Sequence, residues 1–269
     1  MARRNAFETV KVARRVKRPG ALQYFERVFD GFVELRGDRT FADDAAVVGG
    51  LAWLGETPVT VIGTQKGTNI DDNIARNFGQ PHPEGYRKAL RLMRQAEKFR
   101  RPVITFVNTA GAFAGIGAEE RGQGEAIAKN LYEMSTLETP IVSIVTGEGG
   151  SGGALALALA DTVWALENST YSILSPEGFA SILWRDASRA NEAAELMRLT
   201  AEDLLKNGVI DKIIPEAAEG ADANFAFTAD IIKKELLDVI PKLLAKDKRQ
   251  LLDARYARFR KYGEFEEQS

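Results

Sequence analysis

The amino-acid sequence predicts an α/β protein with a mostly parallel sheet and a helical C-terminal tail. Short apolar runs alternate with helical patterns from Pro58 to Ile214, and such alternation is typical of parallel sheets. Two glycine-rich stretches follow apolar runs, at the position where ligand sites of parallel sheets form. The chain after Ile214 is charged and predicts helices instead of strands.

Short apolar runs of the kind that form buried strands are found at six places. They are Pro58–Lys66, Pro102–Asn108, Pro140–Thr146, Thr162–Leu166, Thr170–Leu174 and Val209–Ile214.

Helices are predicted where apolar residues recur every three or four positions. Glu84–Phe99 carries Tyr86, Leu90 and Met93 on one face, and Glu119–Met134 carries Ile127, Leu131 and Met134. The other predicted helices are Gly153–Ala160, Pro176–Trp184, Ala190–Leu199, Ala201–Asn207 (with Thr200 as N-cap and Gly208 as C-cap) and a long tail kinked at Pro241.

The composition excludes several kinds of chemistry. The chain of 269 residues has no cysteine, which excludes disulfides and zinc–thiolate sites, and its single histidine, His82, cannot form a multi-histidine zinc site. We therefore predict no metal site. No apolar run is long enough to cross a bilayer, and the first residues do not lead into a segment of signal-peptide type. We expect a cytoplasmic protein that does not contact membranes.

Basic residues are concentrated at both ends of the chain, although the net charge is only −2. The two groups are Arg3, Arg4, Lys11, Arg14, Arg15, Lys17 and Arg18, and Lys246, Lys248, Arg249, Arg255, Arg258, Arg260 and Lys261. They are either solvated helical faces or surfaces that contact a polyanionic cofactor or an acidic partner. Nucleic-acid binding through these ends stays open as an alternative, but the overall charge does not favour it.

The first glycine-rich turn, Asn108–Gly117, runs from a predicted strand end into a predicted helix. Gly111, Gly115 and Gly117 allow positive φ and a close approach between the backbone and a ligand. Three glycines in seven residues are more than an ordinary connection requires. We therefore predict a binding function for this turn.

The second turn, Gly147–Gly153, has five glycines in seven residues and also joins a predicted strand to a predicted helix. Amides at a helix start point outward and bind negatively charged oxygen. Ordering so many glycines costs conformational entropy, which disfavours a purely structural role. Two such turns predict that backbone amides stabilise an anion, and a thioester enolate fits this chemistry.

Two other patterns overlap the second turn. Gly147–Gly152 fits a dinucleotide-binding fingerprint, with Glu167 near the expected acidic position, although the helix that follows is short. The G-x-S-x-G pattern around Ser151 fits the nucleophile elbow of serine hydrolases, but no histidine follows Ser151 to act as the base. The sequence favours Ser151 as a small packing residue and leaves nicotinamide-dinucleotide binding as the competing hypothesis.

Specific motifs are spread over the chain from about Pro19 to Pro215. They are Gly37–Arg39 with Asp43–Asp44, Asn77–Gly79, Pro83–Met93, Ala118–Gln123, Gly147–Leu155, Ser175–Gly178 and Ala180–Trp184. Together they resemble the alpha subunits of bacterial acetyl-CoA carboxylase carboxyltransferase, members of the crotonase-like (ClpP-like) superfamily. The resemblance implies a crotonase-like fold of repeated ββα units.

The resemblance also implies a transferase that is active only with a beta subunit, in an α2β2 assembly. The enzyme would transfer the carboxyl group of carboxybiotin to acetyl-CoA and give malonyl-CoA, the first committed step of fatty acid synthesis. Biotin would arrive on a separate biotin carboxyl carrier protein, and a separate biotin carboxylase would use ATP. Zinc would be bound only by the beta subunit, which would also bind much of the coenzyme A.

By the same resemblance, the oxyanion glycines of the family correspond to Gly152 and Gly153. Their amides would hold the ureido oxygen of biotin, and no side-chain base would be needed. The pocket for biotin and substrate would include Gly111, Ala112, Phe113, Gly115, Gly149 and Gly150. Phe113, Ile116 and Phe179 are candidates for a seal against water, although core packing is the ordinary role of such side chains.

The chain departs from the family in the first turn, where Ala110 and Ala114 stand in place of prolines and Phe113 in place of tyrosine. Because proline pre-orders a loop, this turn is expected to be more mobile here. We divide the chain into a basic N-terminal segment (1–18), a carboxyltransferase domain (19–215) and a charged helical tail (216–269).

Overall fold

The computed structural model describes residues 4–263, which fold around one eight-stranded sheet. The strands are β1 (Asp30–Glu34), β2 (Val47–Leu54), β3 (Thr57–Thr64), β4 (Val103–Thr109), β5 (Ile141–Gly150), β6 (Thr162–Leu166), β7 (Thr170–Ser172) and β8 (Lys212–Ile214). The helices are α1 (Ala6–Ala13), α2 (Ala21–Val28), α3 (Ile70–Ala75), α4 (Pro83–Lys98), α5 (Ile116–Glu120), α6 (Gln123–Thr136), α7 (Ser151–Leu155), α8 (Pro176–Trp184), α9 (Ala190–Met197), α10 (Ala201–Lys206), α11 (Phe225–Leu244) and α12 (Lys248–Arg260).

The sheet is mostly parallel, as predicted. Its strand order is β1-β2-β3-β4-β5-β6-β8, and β7 pairs with the last residues of β5. The pairings from β3 to β8 are parallel, whereas β1, β2 and β3 are antiparallel to one another. The carboxyl ends of β3, β4 and β5 therefore lie along one edge of the sheet, and both glycine-rich stretches are at this edge.

Apolar layers cover both faces of the sheet. On one face, the ring of Phe106 in β4 lies 5.4 Å from the ring of Tyr24 and 5.6 Å from the ring of Phe25, both in α2. On the other face, Leu92 and Met93 of α4 belong to a buried cluster that also contains β-strand valines. Each large side chain buried in this way contributes about 1.5–3 kcal/mol. The two layers fix the strands that carry the glycine-rich stretches.

The predicted helix Glu119–Met134 is two helices in the structure. Gly122 adopts φ 82° and separates α5 from α6, which begins at Gln123. The buried face of α6 includes Met134, as predicted, but Ile127 and Leu131 are only partly buried. The position of Gly122 in the sequence is the signal for this interruption, because glycine adopts a left-handed backbone without steric cost.

The C-terminal tail is helical, as predicted, but the interruption lies elsewhere. Helix α11 continues through Pro241 to Leu244, and α12 begins after Asp247, whose side chain caps it. The sequence analysis did not identify α1, α2, α3, β1 or β2. Strand β1 has no fully buried residue and therefore no apolar run, and the three helices have six to eight residues each.

Some of the basic residues at the two ends are bonded to the central domain, and two of them, Arg18 and Arg255, are neither solvated nor free to contact a partner. Arg18 is fully buried, where it pairs with Glu216 and donates to the Thr146 carbonyl oxygen. Arg255 is also buried and pairs with Asp161. Arg249, by contrast, has a side chain that is 91% exposed. Arg3 lies outside the described residues.

Both terminal parts of the chain therefore pack on the domain between them. We propose residues 1–18, 19–215 and 216–269 as three consecutive segments of the sequence, which pack together over residues 4–263. Within residues 4–263, no helix is long and apolar enough to span a membrane.

Candidate active site

The two glycine-rich stretches contact each other backbone to backbone. A β-carbon on Gly150 would lie 2.1 Å from the carbonyl oxygen of Ala110, and a β-carbon on Gly153 would lie 2.3 Å from the amide nitrogen of Ala112. Side chains cannot be accommodated at such distances, so packing requires glycine at both positions. The structure thus brings Gly111 and Ala112 of the first stretch against Gly150 and Gly153 of the second.

Most of the second stretch is a strand, not a turn as the sequence analysis assumed. Gly147 to Gly150 complete β5, and Gly149 is paired with Tyr171 of β7. A β-carbon on Gly149 would lie 2.8 Å from the Tyr171 ring. The residue with positive φ in this stretch is Ser151, at 51°. The glycines therefore permit close packing, and Ser151 turns the chain into α7.

No side chain caps the amides in the first turn of α7, where Gly152 is half-buried and Gly153 is buried. Amides at this position have no acceptor within the helix. The N-cap residue, Gly150, has no side chain that could accept from the amides of Gly152 or Gly153. A β-carbon on Gly152 would have Ile127 as its nearest neighbour, at 3.6 Å. Because the helix dipole favours negative charge here, the site suits an oxygen that carries or develops negative charge.

Thr109 holds the start of the first turn. Its hydroxyl accepts from the amide of Gly111 at 3.1 Å and donates to the carbonyl oxygen of Gly111 at 2.8 Å. Gly111 has φ 147°, which only glycine adopts readily. Gly115 and Gly117 do not have positive φ, and a β-carbon on Gly115 would lie 2.6 Å from the ring of Phe113. The expectation of positive φ thus holds only for Gly111.

Tyr86 of α4 contacts the second stretch, which the sequence analysis did not predict. Its hydroxyl donates to the carbonyl oxygen of Gly153 at 3.2 Å. Burial raises the pKa of the Tyr86 hydroxyl, and the negative charge of Asp44 acts in the same direction. The hydroxyl therefore remains a hydrogen-bond donor and holds the carbonyl of Gly153.

A charged group also lies at this edge of the sheet. Glu148 lies 2.9 Å from the ammonium of Lys66 and 2.7 Å from the guanidinium of Arg14. Burial raises the pKa of Glu148, but the two cations outweigh it, and this pKa lies below its ordinary value. The carboxylate is therefore ionised near neutral pH. Sequence inspection missed the group because Glu148 is separated from Lys66 by 82 positions and from Arg14 by 134.

The proposed seal residues are not core residues. Ile116 is 81% exposed, and Phe113 and Phe179 are half-buried. Core packing therefore does not account for Ile116. We propose that all three side chains belong to a surface that excludes water or contacts a partner.

His82 does not lie in an open loop, as the sequence suggested. Its amide donates to Asp44 at 2.8 Å at the start of α4, and its ring lies 4.6 Å from the ring of Phe113. Within residues 4–263 the imidazole makes no hydrogen bond, so it has no partner for proton transfer. We expect His82→Ala to retain kcat within about threefold and to lose about 1 kcal/mol of stability from the ring contact. Steady-state kinetics check this, and a 100-fold loss of kcat would give His82 a chemical role.

Ser151 has the left-handed backbone of a nucleophile elbow but no catalytic partner. Its side chain is exposed, and its hydroxyl makes no hydrogen bond to any residue that the structure describes. We expect Ser151→Ala to keep kcat within about threefold, because a hydroxyl without a base contributes little to nucleophilic catalysis. Inactivity of a folded Ser151→Ala protein would instead favour the hydrolase hypothesis.

The dinucleotide-binding pattern does not form a phosphate-binding turn. Gly147 and Gly149 lie within β5, and α7 has only five residues. The carboxylate of Glu167 accepts from the amide of Glu216 at 3.1 Å, so its role is structural. The geometry therefore disfavours nicotinamide-dinucleotide binding.

Comparisons with known proteins agree with the motifs. Residues 2–263 match the family model described as acetyl co-enzyme A carboxylase carboxyltransferase-like. The acetyl-coenzyme A carboxylase carboxyl transferase subunit alpha of Streptococcus equi subsp. equi (strain 4047) is 64% identical over 253 residues, or 94% of this chain and 97% of that protein. The subunit of the same name from Streptococcus pyogenes serotype M12 (strain MGAS2096) has the same identity and coverage.

Solved structures show the same fold at low sequence identity. Transcarboxylase 12S, with methylmalonyl-coenzyme A and methylmalonic acid bound, has a TM-score of 0.68 and 18% identity over 88% of this chain and 45% of that chain. A Pseudomonas malonate decarboxylase hetero-tetramer in complex with coenzyme A also has a TM-score of 0.68 and 18% identity, over 89% of this chain and 96% of that chain. These similarities confirm the predicted crotonase-like fold.

Proposed function

The chain belongs to the family of acetyl-CoA carboxylase carboxyltransferase alpha subunits, and on this premise we propose that it transfers the carboxyl group of carboxybiotin to acetyl-CoA. The product is malonyl-CoA, made in the first committed step of fatty acid synthesis. The observation that carries the proposal is the backbone contact between the two glycine-rich stretches. It places the uncapped N-terminus of α7 against the first glycine-rich turn, Asn108–Gly117.

We assign anion binding to the amides of Gly152 and Gly153. Biotin, when it is bound, supplies the carboxyl group and a ureido oxygen that gains negative charge as the carboxyl group leaves. Each amide that already points at such an oxygen is worth about 3 kcal/mol in the transition state. The site fits a ureido oxygen because no capping side chain competes for these amides. Gly111, Ala112, Phe113 and Gly115 would line the pocket, and Gly149 and Gly150 would bring its two sides together.

The proposal needs no general base from this chain. The hydroxyl of Tyr86 holds the carbonyl of Gly153, and Thr109 holds Gly111, so the residues around the site act by orienting backbone groups. Phe113, Ile116 and Phe179 would exclude water, because released carbon dioxide would otherwise be lost to solvent. The exposure of Ile116 supports a seal that is completed by another chain.

A subunit called alpha implies a partner subunit. We propose a beta subunit in an α2β2 assembly, with zinc and most of the coenzyme A contacts on the beta chain. The biotin carboxyl carrier protein would deliver biotin, and a separate biotin carboxylase would use ATP in the cytoplasm. Nucleic-acid binding is not expected, because Arg18 and Arg255 are buried in ion pairs.

The test is the reverse reaction, carboxylation of free biotin that depends on malonyl-CoA. The chain alone and the chain mixed with the beta subunit of the same organism are compared. We expect activity only in the mixture. A folded, correctly mixed pair without activity would contradict the proposal, and binding of NAD by the isolated chain would then favour the dinucleotide hypothesis.

A further inference from the structure

Gln123 holds the backbone carbonyl of Phe113 in the first turn and the Pro81 carbonyl that binds the Phe113 amide. Its side-chain nitrogen donates to the carbonyl oxygens of Pro81 at 2.8 Å and of Phe113 at 2.9 Å. The carbonyl of Pro81 also accepts from the amide of Phe113 at 3.0 Å. The carbonyl of Pro81 therefore fixes the amide of Phe113, and the buried side chain of Gln123 fixes the carbonyl of Phe113. Gln123 itself is 4% exposed and begins α6.

The other atom of the same side chain has no partner. The Gln123 oxygen Oε1 is buried and makes no hydrogen bond within the part of the chain that the structure describes. The reverse orientation of the amide would place Oε1 against two carbonyl oxygens, so hydrogen-bond chemistry fixes the orientation. An unpaired buried acceptor costs about 1–3 kcal/mol. Stability alone therefore does not account for glutamine here, whereas its donations to the Phe113 carbonyl in the first turn and to the Pro81 carbonyl that binds the Phe113 amide do.

Movement of Phe113 would be transmitted to the second stretch. Ala112 precedes Phe113, and the α-carbon of Gly153 approaches the amide of Ala112 so closely that a β-carbon would lie only 2.3 Å from it. Within the turn, the hydroxyl of Thr109 holds Gly111 but makes no hydrogen bond to Phe113. The position of Phe113 is therefore restrained from a distance, by Gln123 at its carbonyl and by Pro81 at its amide.

We propose that Gln123 is a positioning residue that holds the first glycine-rich turn at the distance from α7 that carboxyl transfer requires. The expected effect on carboxyl transfer rests on the proposed function, whereas the expected effect on the mobility of the turn does not.

Gln123→Met is the test variant, because it keeps the side-chain volume and removes both donations. Asn130→Leu is the matched control on the same helix. Asn130 is also fully buried, its nitrogen donates to the carbonyl of Ala156 at 3.1 Å, and its oxygen Oδ1 is also without a partner. Both substitutions remove one amide group from α6, but only Gln123→Met releases the first turn.

Amide hydrogen exchange of the full chain, followed by mass spectrometry, measures the mobility of the first glycine-rich turn directly and does not depend on activity. We expect faster exchange in the peptide that covers residues 110–118 for Gln123→Met and unchanged exchange there for Asn130→Leu. With the beta subunit, kcat is expected to fall about 10- to 100-fold for Gln123→Met, because small displacements from reactive geometry cost this much. KM is expected to change less than kcat, and Asn130→Leu should retain kcat.

Adding Ala114→Pro to Gln123→Met should restore part of kcat and slow the exchange again. The amide of Ala114 makes no backbone hydrogen bond among residues 4–263, so proline removes none. Unchanged exchange with unchanged kcat in Gln123→Met would overturn the inference, as would equal losses in both variants. Faster exchange in Gln123→Met, with a wild-type pair that shows no carboxyl transfer, would uphold the positioning role and contradict the proposed function.

Discussion

Gly152→Val is expected to lower kcat for carboxyl transfer about 100- to 1,000-fold, the loss seen when a preorganised amide no longer reaches its oxyanion. The melting temperature should stay within about 2 °C of the wild type, because a β-carbon on Gly152 meets no atom closer than 3.6 Å. Side chains in a helix lean toward its N-terminus, so the valine methyl groups would occupy the space beside the uncapped amides. Steady-state kinetics and thermal melting measure the two effects.

Gly152→Ala and Gly153→Ala complete this series. Gly152→Ala keeps the amide with a smaller side chain, so its kcat should lie between those of the wild type and Gly152→Val. Gly153→Ala should instead destabilise the fold, because its methyl group would lie 2.3 Å from the amide nitrogen of Ala112. The geometry therefore allows a larger residue without loss of the fold at Gly152 but not at Gly153. Wild-type turnover by Gly152→Val would contradict the assignment.

Arg255→Leu is expected to cost about 3–5 kcal/mol of stability, because it leaves a buried carboxylate without its partner. Arg255 donates to Asp161 at 2.9 and 2.8 Å and also to the carbonyl oxygens of Met134, Leu137 and Thr139. These bonds attach α12 to the end of α6, to the loop that leads into β5 and to the residue that precedes β6. The melting temperature should fall by about 10 °C in a chain of this size.

The control for Arg255→Leu is Arg249→Leu on the same helix. The Arg249 side chain is 91% exposed, and its contact with Asp253 is 3.6 Å long. Exposed pairs of this kind contribute about 0–1 kcal/mol, so the melting temperature should hardly change. Equal melting of the two variants would show that α12 is not held by the buried arginine.

Six of the eight strands could be predicted because their signal is local. Each of the six predicted strands is present, and β6 has the predicted bounds Thr162–Leu166. Short apolar runs between polar residues carry this information without reference to the rest of the chain. Helix α8 was also predicted with its observed bounds, since Ser175 and Pro176 mark its start and the Ser175 hydroxyl accepts from Gly178.

The second glycine-rich stretch was located correctly but interpreted incorrectly. Its glycines suggested a turn that presents amides, yet Gly147 to Gly150 are strand residues, and Ser151 makes the turn. The requirement for glycine at Gly150 and Gly153 comes from the backbone of the first stretch, which lies about forty positions earlier. A single sequence does not reveal that the two stretches meet.

The contacts of the residues that position the site could largely not be predicted from the sequence. Gln123 was part of a motif, but its bonds to Pro81 and Phe113 depend on Gly122, which interrupts the predicted helix. The basic ends were treated as surfaces, whereas Arg18 and Arg255 are buried next to carboxylates far away in the sequence. Charge alone does not distinguish a solvated arginine from a buried one.

The central claim is that backbone amides in the first turn of α7, and no side chain, stabilise the anion. Replacing the peptide N–H of Gly152 by an ester oxygen tests it most directly, since this removes one donor and adds no atom to the site. With the beta subunit, we predict that kcat falls about 100-fold or more while the melting temperature is unchanged. A kcat within threefold of the all-amide protein would contradict the claim and would require another donor at this edge of the sheet.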